Sequence, residues 1–98
     1  MSLQVKFSKA ARSEFIEAAA WYESKQPSLG IEFIAEIDRC LALAAQQPLI
    51  YAVVYKGLRR VTTKRFPYGV YFRSSAQRLV VVAVFHSRRD PAVWQNRI

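Results

Sequence analysis

The chain holds one cysteine, one histidine and three glycines, and each scarcity removes a class of chemistry. A lone Cys40 cannot close an internal disulfide, which fits a reducing compartment. One histidine and one cysteine cannot assemble the usual zinc ligand sets. Gly30, Gly57 and Gly69 lie far apart, so no glycine-rich loop exists to cradle phosphates. Nucleophile–base–orienter catalysis has no footing either: the only acid near His86 is Asp90, and no serine sits in a nucleophile elbow. No apolar run approaches the roughly 20 residues that span a bilayer, and the N-terminus lacks the charged-then-apolar layout of a signal peptide. These absences lead to the expectation of a cytoplasmic protein that uses neither metal nor organic cofactor.

Acid is also missing from one half of the chain. Residues 1–55 hold Lys6, Lys9, Arg12, Lys25 and Arg39 against six acids, a net charge of −1. Residues 56–98 hold ten basic residues against Asp90 alone, a net charge of +9. That asymmetry points to an anionic partner for the second half, either nucleic acid or an acidic protein segment.

What is present reads as a single domain over residues 1–98, with enough apolar content (52%) for a core. LQVKF (3–7) alternates as a short strand. Ser8 is a good N-cap for a helix in which Ala11, Phe15, Ala18 and Tyr22 share one face. Pro27 ends that helix and Ser28 is placed to cap a second, on which Phe33, Ile37, Cys40 and Ala44 form a stripe and Pro48 marks the stop. The short QPSLG connection predicts an antiparallel helix hairpin. Beyond Pro48, residues 58–66, 70–75 and 78–86 read as three strands joined by tight turns, an antiparallel meander. The last strand, RLVVVAVFH, is apolar on both faces and should be covered on both. The helix hairpin can cover one face; the tail, through Trp94, is the material left for the other. The order β-α-α-β-β-β predicts an α+β fold.

The chemistry that remains open is metal-free. A ribonuclease acting through the 2′-hydroxyl of RNA needs only a base, an acid and cations. His86, Arg88 and Arg89 end the last strand, and Arg60, Lys64 and Arg73 are near in sequence pattern, with alternation placing Arg60 and Lys64 on one face of their strand. Each has a plainer reading. A histidine at a strand end is commonly a hydrogen-bonded structural residue, Asp90 before Pro91 a turn or cap, and Cys40 on a core stripe an inert small hydrophobe.

Four stretches together, VKFSKAARSEFIEAAAWYESKQPSLGIEFIAEI, LRR, KRFPYGVYF and VVAVFHSRRDPAVW, resemble the RelE/ParE toxins of type II toxin–antitoxin systems over essentially the whole chain. The resemblance implies a toxin neutralised by a labile antitoxin that wraps the helix hairpin and sheet. It also implies one of two targets: RelE-like members cleave mRNA on the ribosome, whereas ParE-like members, among them plasmid stabilisation proteins, inhibit DNA gyrase. Laid on the RelE-type pattern, Arg60, Lys64 and Arg88 fill cationic roles. The arginine of the next strand falls at Gly69, with Arg73 farther along, and the C-terminal tyrosine falls at Trp94, which has no usable acid–base group. The EAAAWYE helix and the RRDPAVW ending look like the ParE branch. The resemblance therefore favours a gyrase inhibitor over an RNA-cleaving enzyme using Arg60, Lys64, Arg73, His86 and Arg88. A degenerate toxin that only binds antitoxin is the third reading. In each, Arg59, Arg60, Lys64, Arg65, Arg73, Arg88, Arg89 and Trp94 are the expected partner-facing residues.

Overall fold

Ser8 marks the point where strand alternation gives way to helical spacing, and in the computed structural model, which describes residues 2–98, it is the N-cap of the first helix. Its Oγ accepts the Ala11 N–H at 3.1 Å, satisfying one of the amides that a helix start leaves without an intrahelical partner. The strand before it is β1, Gln4–Phe7, and the helix is α1, Lys9–Lys25. Ala11 and Ala18 are buried and Phe15 and Tyr22 half-buried, the face their spacing predicts. On α2, Leu29–Gln46, the stripe Phe33, Ile37, Cys40 and Ala44 is buried throughout.

The cap of α2 is not the one expected. Ser28 adopts a left-handed conformation at φ 73° and makes no side-chain capping bond. The Glu23 carboxylate, near the end of α1, takes over: it accepts the N–H of Ser28 at 2.8 Å and of Gly30 at 2.9 Å. A carboxylate suits this place better than a hydroxyl, because a helix N-terminus carries partial positive charge. One side chain thereby ties the two helices into the antiparallel hairpin. Gly30 sets how close they come, since a Cβ there would lie 2.5 Å from the Ala19 carbonyl oxygen and 2.9 Å from Glu23 Cβ.

A single 3-10 turn, Pro48–Ile50, leads to β2 (Val53–Tyr55), β3 (Leu58–Thr62), β4 (Tyr68–Ser74) and β5 (Arg78–His86), and a short helix α3 (Ala92–Gln95) follows. The five strands lie in the order β1-β5-β4-β3-β2, with β1 parallel to β5 and the other pairs antiparallel. The α+β class and the meander hold, with three departures. β2 and α3 are additional. Lys56 and Gly57 at φ 42° and 82° supply the positive-φ pair of a tight hairpin turn, so VVYKGLRR carried a strand signal after all. The expected strand 58–66 stops at Thr62, because Thr63 turns inward: its N–H donates to the Tyr68 carbonyl and its hydroxyl to that of Phe66, closing a turn.

The third departure lies inside β5. Tyr71 pairs with Ala83 and Phe72 with Val81, so Val82 is an extra residue with no partner on β4. The bulge reverses the alternation. Leu79, Val81 and Val84 join the core beneath the helices with Phe33, Val70 and Phe72. Ala83 and Phe85 face the opposite side, where Leu58, Tyr71 and Trp94 form a second, smaller core. Both faces are covered here, as expected, although a simple even–odd division fails and Val80 stays 36% exposed.

Replacing Gly30 by alanine sets two effects against each other. Alanine ordinarily gains about 0.5–1 kcal/mol over glycine inside a helix, but here the added methyl meets backbone and must push the hairpin apart, which costs about 1–3 kcal/mol. Gly30→Ala is expected to lower stability, read as a lower urea midpoint. A raised midpoint would show that the helices separate freely.

Candidate functional site

β1 ends at Phe7, so β5 beyond Val81 has no strand neighbour on that side. Side chains take the strand's place. The Glu14 carboxylate accepts the Val84 N–H at 3.0 Å, while the Val82 carbonyl accepts from Ser8 Oγ at 3.3 Å and from Arg97 Nη1 at 3.1 Å. Glu14 and Arg97 also pair directly at 2.7 Å, with side chains 12% and 24% exposed. This closure anchors the tail behind β5. Ahead of it, Asp90 is the turn residue its sequence suggested: its Oδ1 accepts the Ala92 N–H at 3.0 Å at the start of α3.

The tail lays Trp94 on the second core. Its ring stacks on Tyr71 (4.3 Å between centroids, 29°) and meets Tyr55 edge-on (5.6 Å, 86°). At 3% exposure Trp94, expected to face a partner, is buried and fastens the tail. Its Nε1–H is buried and has no acceptor in the folded chain.

The structure separates the remaining candidates. Lys64 does not share a strand face with Arg60, because the strand has ended: Lys64 sits in the 63–67 turn, where its N–H donates to Glu36 on α2 at 3.0 Å. Arg65 pairs with Glu32, also on α2. Arg59 is half-buried and donates to the Tyr51 carbonyl at 2.6 Å, bracing the connection into β2. Arg73 lies on the same face of the sheet as Tyr71 but two residues beyond it, toward the far end of the strand. Arg88 is exposed in the turn after β5.

Arg60 and Arg89 do come together. With Tyr71, Ser87 and Trp94 they line a cavity of about 270 Å³ between the outer face of the sheet and α3. Arg60 stands opposite Tyr71 in the β3–β4 register, and the Arg89 guanidinium lies 4.5 Å from the centre of the Phe85 ring. On the helix side of β5 a second cavity of about 460 Å³ is lined by Glu17, Trp21, Tyr22 and Tyr68, and His86 and Arg89 border both. His86 packs edge-on against Tyr68, and its Nδ1 accepts the Arg88 N–H at 3.0 Å. A backbone N–H cannot reverse its polarity, so the neutral ring carries its proton on Nε2 and presents a donor there. General-base action would require breaking that turn. Tyr71 and Ser87 were not singled out from sequence; only the register and the tail bring them beside Arg60. Cys40 is buried, and burial pushes its thiol pKa up, in keeping with an inert core residue.

Among the described residues no group of three or more His, Cys, Asp or Glu side chains is placed to hold a metal ion, and no helix is long and apolar enough to cross a membrane.

A family model described as the ParE toxin of the type II toxin–antitoxin system parDE matches residues 5–91. The fold is similar to a chain of the chromosomal ParDE toxin–antitoxin system from P. aeruginosa, with a TM-score of 0.75 and 16% identity over 87% of this chain and 96% of that one. It is also similar to a chain of the toxin–antitoxin complex RelBE2 from Mycobacterium tuberculosis, with a TM-score of 0.59 and 17% identity over 88% and 99% of the two chains. At these identities the two structures speak for the fold alone. No curated protein matches the sequence.

The clamp on the 63–67 turn is testable through pH. The Arg39 hydrogen bond first, and the Lys64 N–H next, hold the Glu36 carboxyl down to about 2 from its ordinary 4.5. A carboxyl depressed in the fold stabilises fully above its unfolded pKa and loses that contribution as pH falls toward the folded value. Urea unfolding should therefore show Glu36→Gln less stable than the parent at pH 7, with the gap closing between about pH 4.5 and 2. A gap independent of pH would mean that the carboxylate charge is not what holds the turn.

Proposed function

The chain belongs to the ParE toxin family of type II toxin–antitoxin systems, and from that premise we propose that it is a single-domain inhibitor of DNA gyrase held inactive by a cognate antitoxin. The observation that carries the choice of gyrase over RNA is the dispersal of the groups a cleaving enzyme would need. Lys64 lies off the strand in a turn whose backbone is tied to α2, His86 has its Nδ1 occupied, and Trp94 offers no acid–base function. Arg73 stands apart toward the far end of β4. Without a positioned base and acid, the basic face is suited to binding rather than to proton transfer. Of the ten basic residues over 56–98, Arg65 and Arg97 are ion-paired and Arg59 is held by a carbonyl; Lys56, Arg60, Lys64, Arg73, Arg78, Arg88 and Arg89 make no ion pair among the described residues and are the cations left to meet a target.

Family membership and the toxin–antitoxin complexes that share the fold support an antitoxin as partner, in a hetero-oligomer. Charge supports it too: an excess of nine positive charges over residues 56–98 favours an acidic segment through complementarity.

Purified protein is expected to block gyrase supercoiling or to accumulate cleaved DNA, and a matched antitoxin should reverse the effect. The double variant Arg88→Glu/Arg89→Glu, folded by circular dichroism, should need about tenfold more protein for the same inhibition, the scale of about 1.4 kcal/mol of lost binding. Unaffected gyrase at excess protein would sink this reading and direct the assay to ribosome-dependent mRNA cleavage.

A further inference from the structure

The cavity under α3 brings two of the unpaired cations, Arg60 and Arg89, into one small space. We propose that it binds a phosphate-type dianion, a phosphate monoester either free or at the end of a nucleotide. Its walls include Arg60, Tyr71, Ser87, Arg89, Trp94 and Gln95, and no carboxylate is among them. Three other arginines, Arg39, Arg65 and Arg97, are each paired with a glutamate; Arg60 and Arg89 are not, among the described residues. The Arg60 stem runs close over Gly69, where a Cβ would meet its Cδ at 3.3 Å, and Arg89 rests on Phe85. Two guanidiniums lining one small cavity without a counter-ion repel each other, and an anion seated between them turns that repulsion into attraction.

Trp94 lines the cavity with its ring while its Nε1–H is buried away from it, so the donors that accompany the two guanidiniums are the Tyr71 and Ser87 hydroxyls. This donor-rich wall matches a group that only accepts, and two arginines match a group carrying about −1.5 to −2 charges and three terminal oxygens better than they match a single carboxylate. Binding involves no cleavage, in keeping with the absence of a free base.

The test uses the Trp21→Phe variant, which leaves Trp94 as the only tryptophan and a reporter on the cavity wall. Inorganic phosphate, titrated at constant ionic strength, should change Trp94 emission saturably where chloride and acetate do not. Arg60→Ala or Arg89→Ala in that background should weaken phosphate binding by about tenfold or more, while Arg78→Ala, at the far end of β5, should leave it unchanged. A 5′-phosphorylated oligonucleotide binding more tightly than inorganic phosphate would support the site and assign its ligand to a nucleotide end; equal affinity would support it and assign free phosphate. A response that does not saturate, one that survives both alanine substitutions, or equal binding of the unphosphorylated oligonucleotide would overturn the proposal. Gyrase takes no part in the titration, so loss of either reading leaves the other standing.

Discussion

When β1 stops at Phe7, the outer half of β5 is left with open N–H and C=O groups, and the way Glu14 and Arg97 close them governs the rest of the molecule. Exposed polar groups along a strand edge invite pairing with another chain. Here a carboxylate from α1 stands in for a partner's carbonyl and a guanidinium from the tail stands in for a partner's N–H. Because the two also pair with each other, the contact joins the helix layer, the sheet and the C-terminus at one point. The bulge at Val82 supplies the carbonyl that Arg97 takes and turns Ala83 and Phe85 to the outer face, where Trp94 can cover them. Closure, bulge and tail are thus one structural unit, and the Arg60–Arg89 cavity lies over it.

The charge asymmetry of the sequence is partly neutralised by folding. Glu14, Glu32 and Glu36 come from the acid-bearing first half, and they hold Arg97, Arg65 and the backbone at Lys64 from the basic second half. Arg59 is engaged by a backbone carbonyl. These contacts dock the sheet and its turns onto the helices, and exposed pairs such as Arg65–Glu32 do so with little net energy apiece. What remains is a smaller and better-defined positive surface, in which Arg60 and Arg89 meet at the cavity and Arg73 and Arg88 stand farther off. Seven of the ten basic residues in that half keep unpaired side chains among the described residues, and of these Arg60 and Arg89 line one cavity.

The same selection separates binding from catalysis. An enzyme acting on RNA without metal must bring a base, an acid and a charge stabiliser within hydrogen-bond reach of one phosphate. In this chain the cations that converge do so beside an indole and two hydroxyls, and the one histidine is held in the donor tautomer by its own turn. That combination suits recognition of an anion.

The helix hairpin and the α+β class could be read from the chain, because apolar spacing at three and four residues, punctuated by Ser8, Pro27 and Pro48, leaves one arrangement of local structure that buries those faces. Cys40 and Asp90 were legible for the same reason: their roles depend on neighbours close in sequence. The hairpin turn at Lys56–Gly57 is a local feature too, set by the positive φ that glycine tolerates. The cap of α2 was not legible, since Glu23 reaches it only once the two helices are antiparallel. Nor was the bulge, because the run LVVVAVF is apolar at every position and leaves no alternation to reveal a shift in register. Which arginines share a surface depends on that register and on where the tail is tied. Local patterning thus selected the elements, while hydrogen bonds between residues as distant in sequence as Glu14 and Arg97 decided which side chains share a surface.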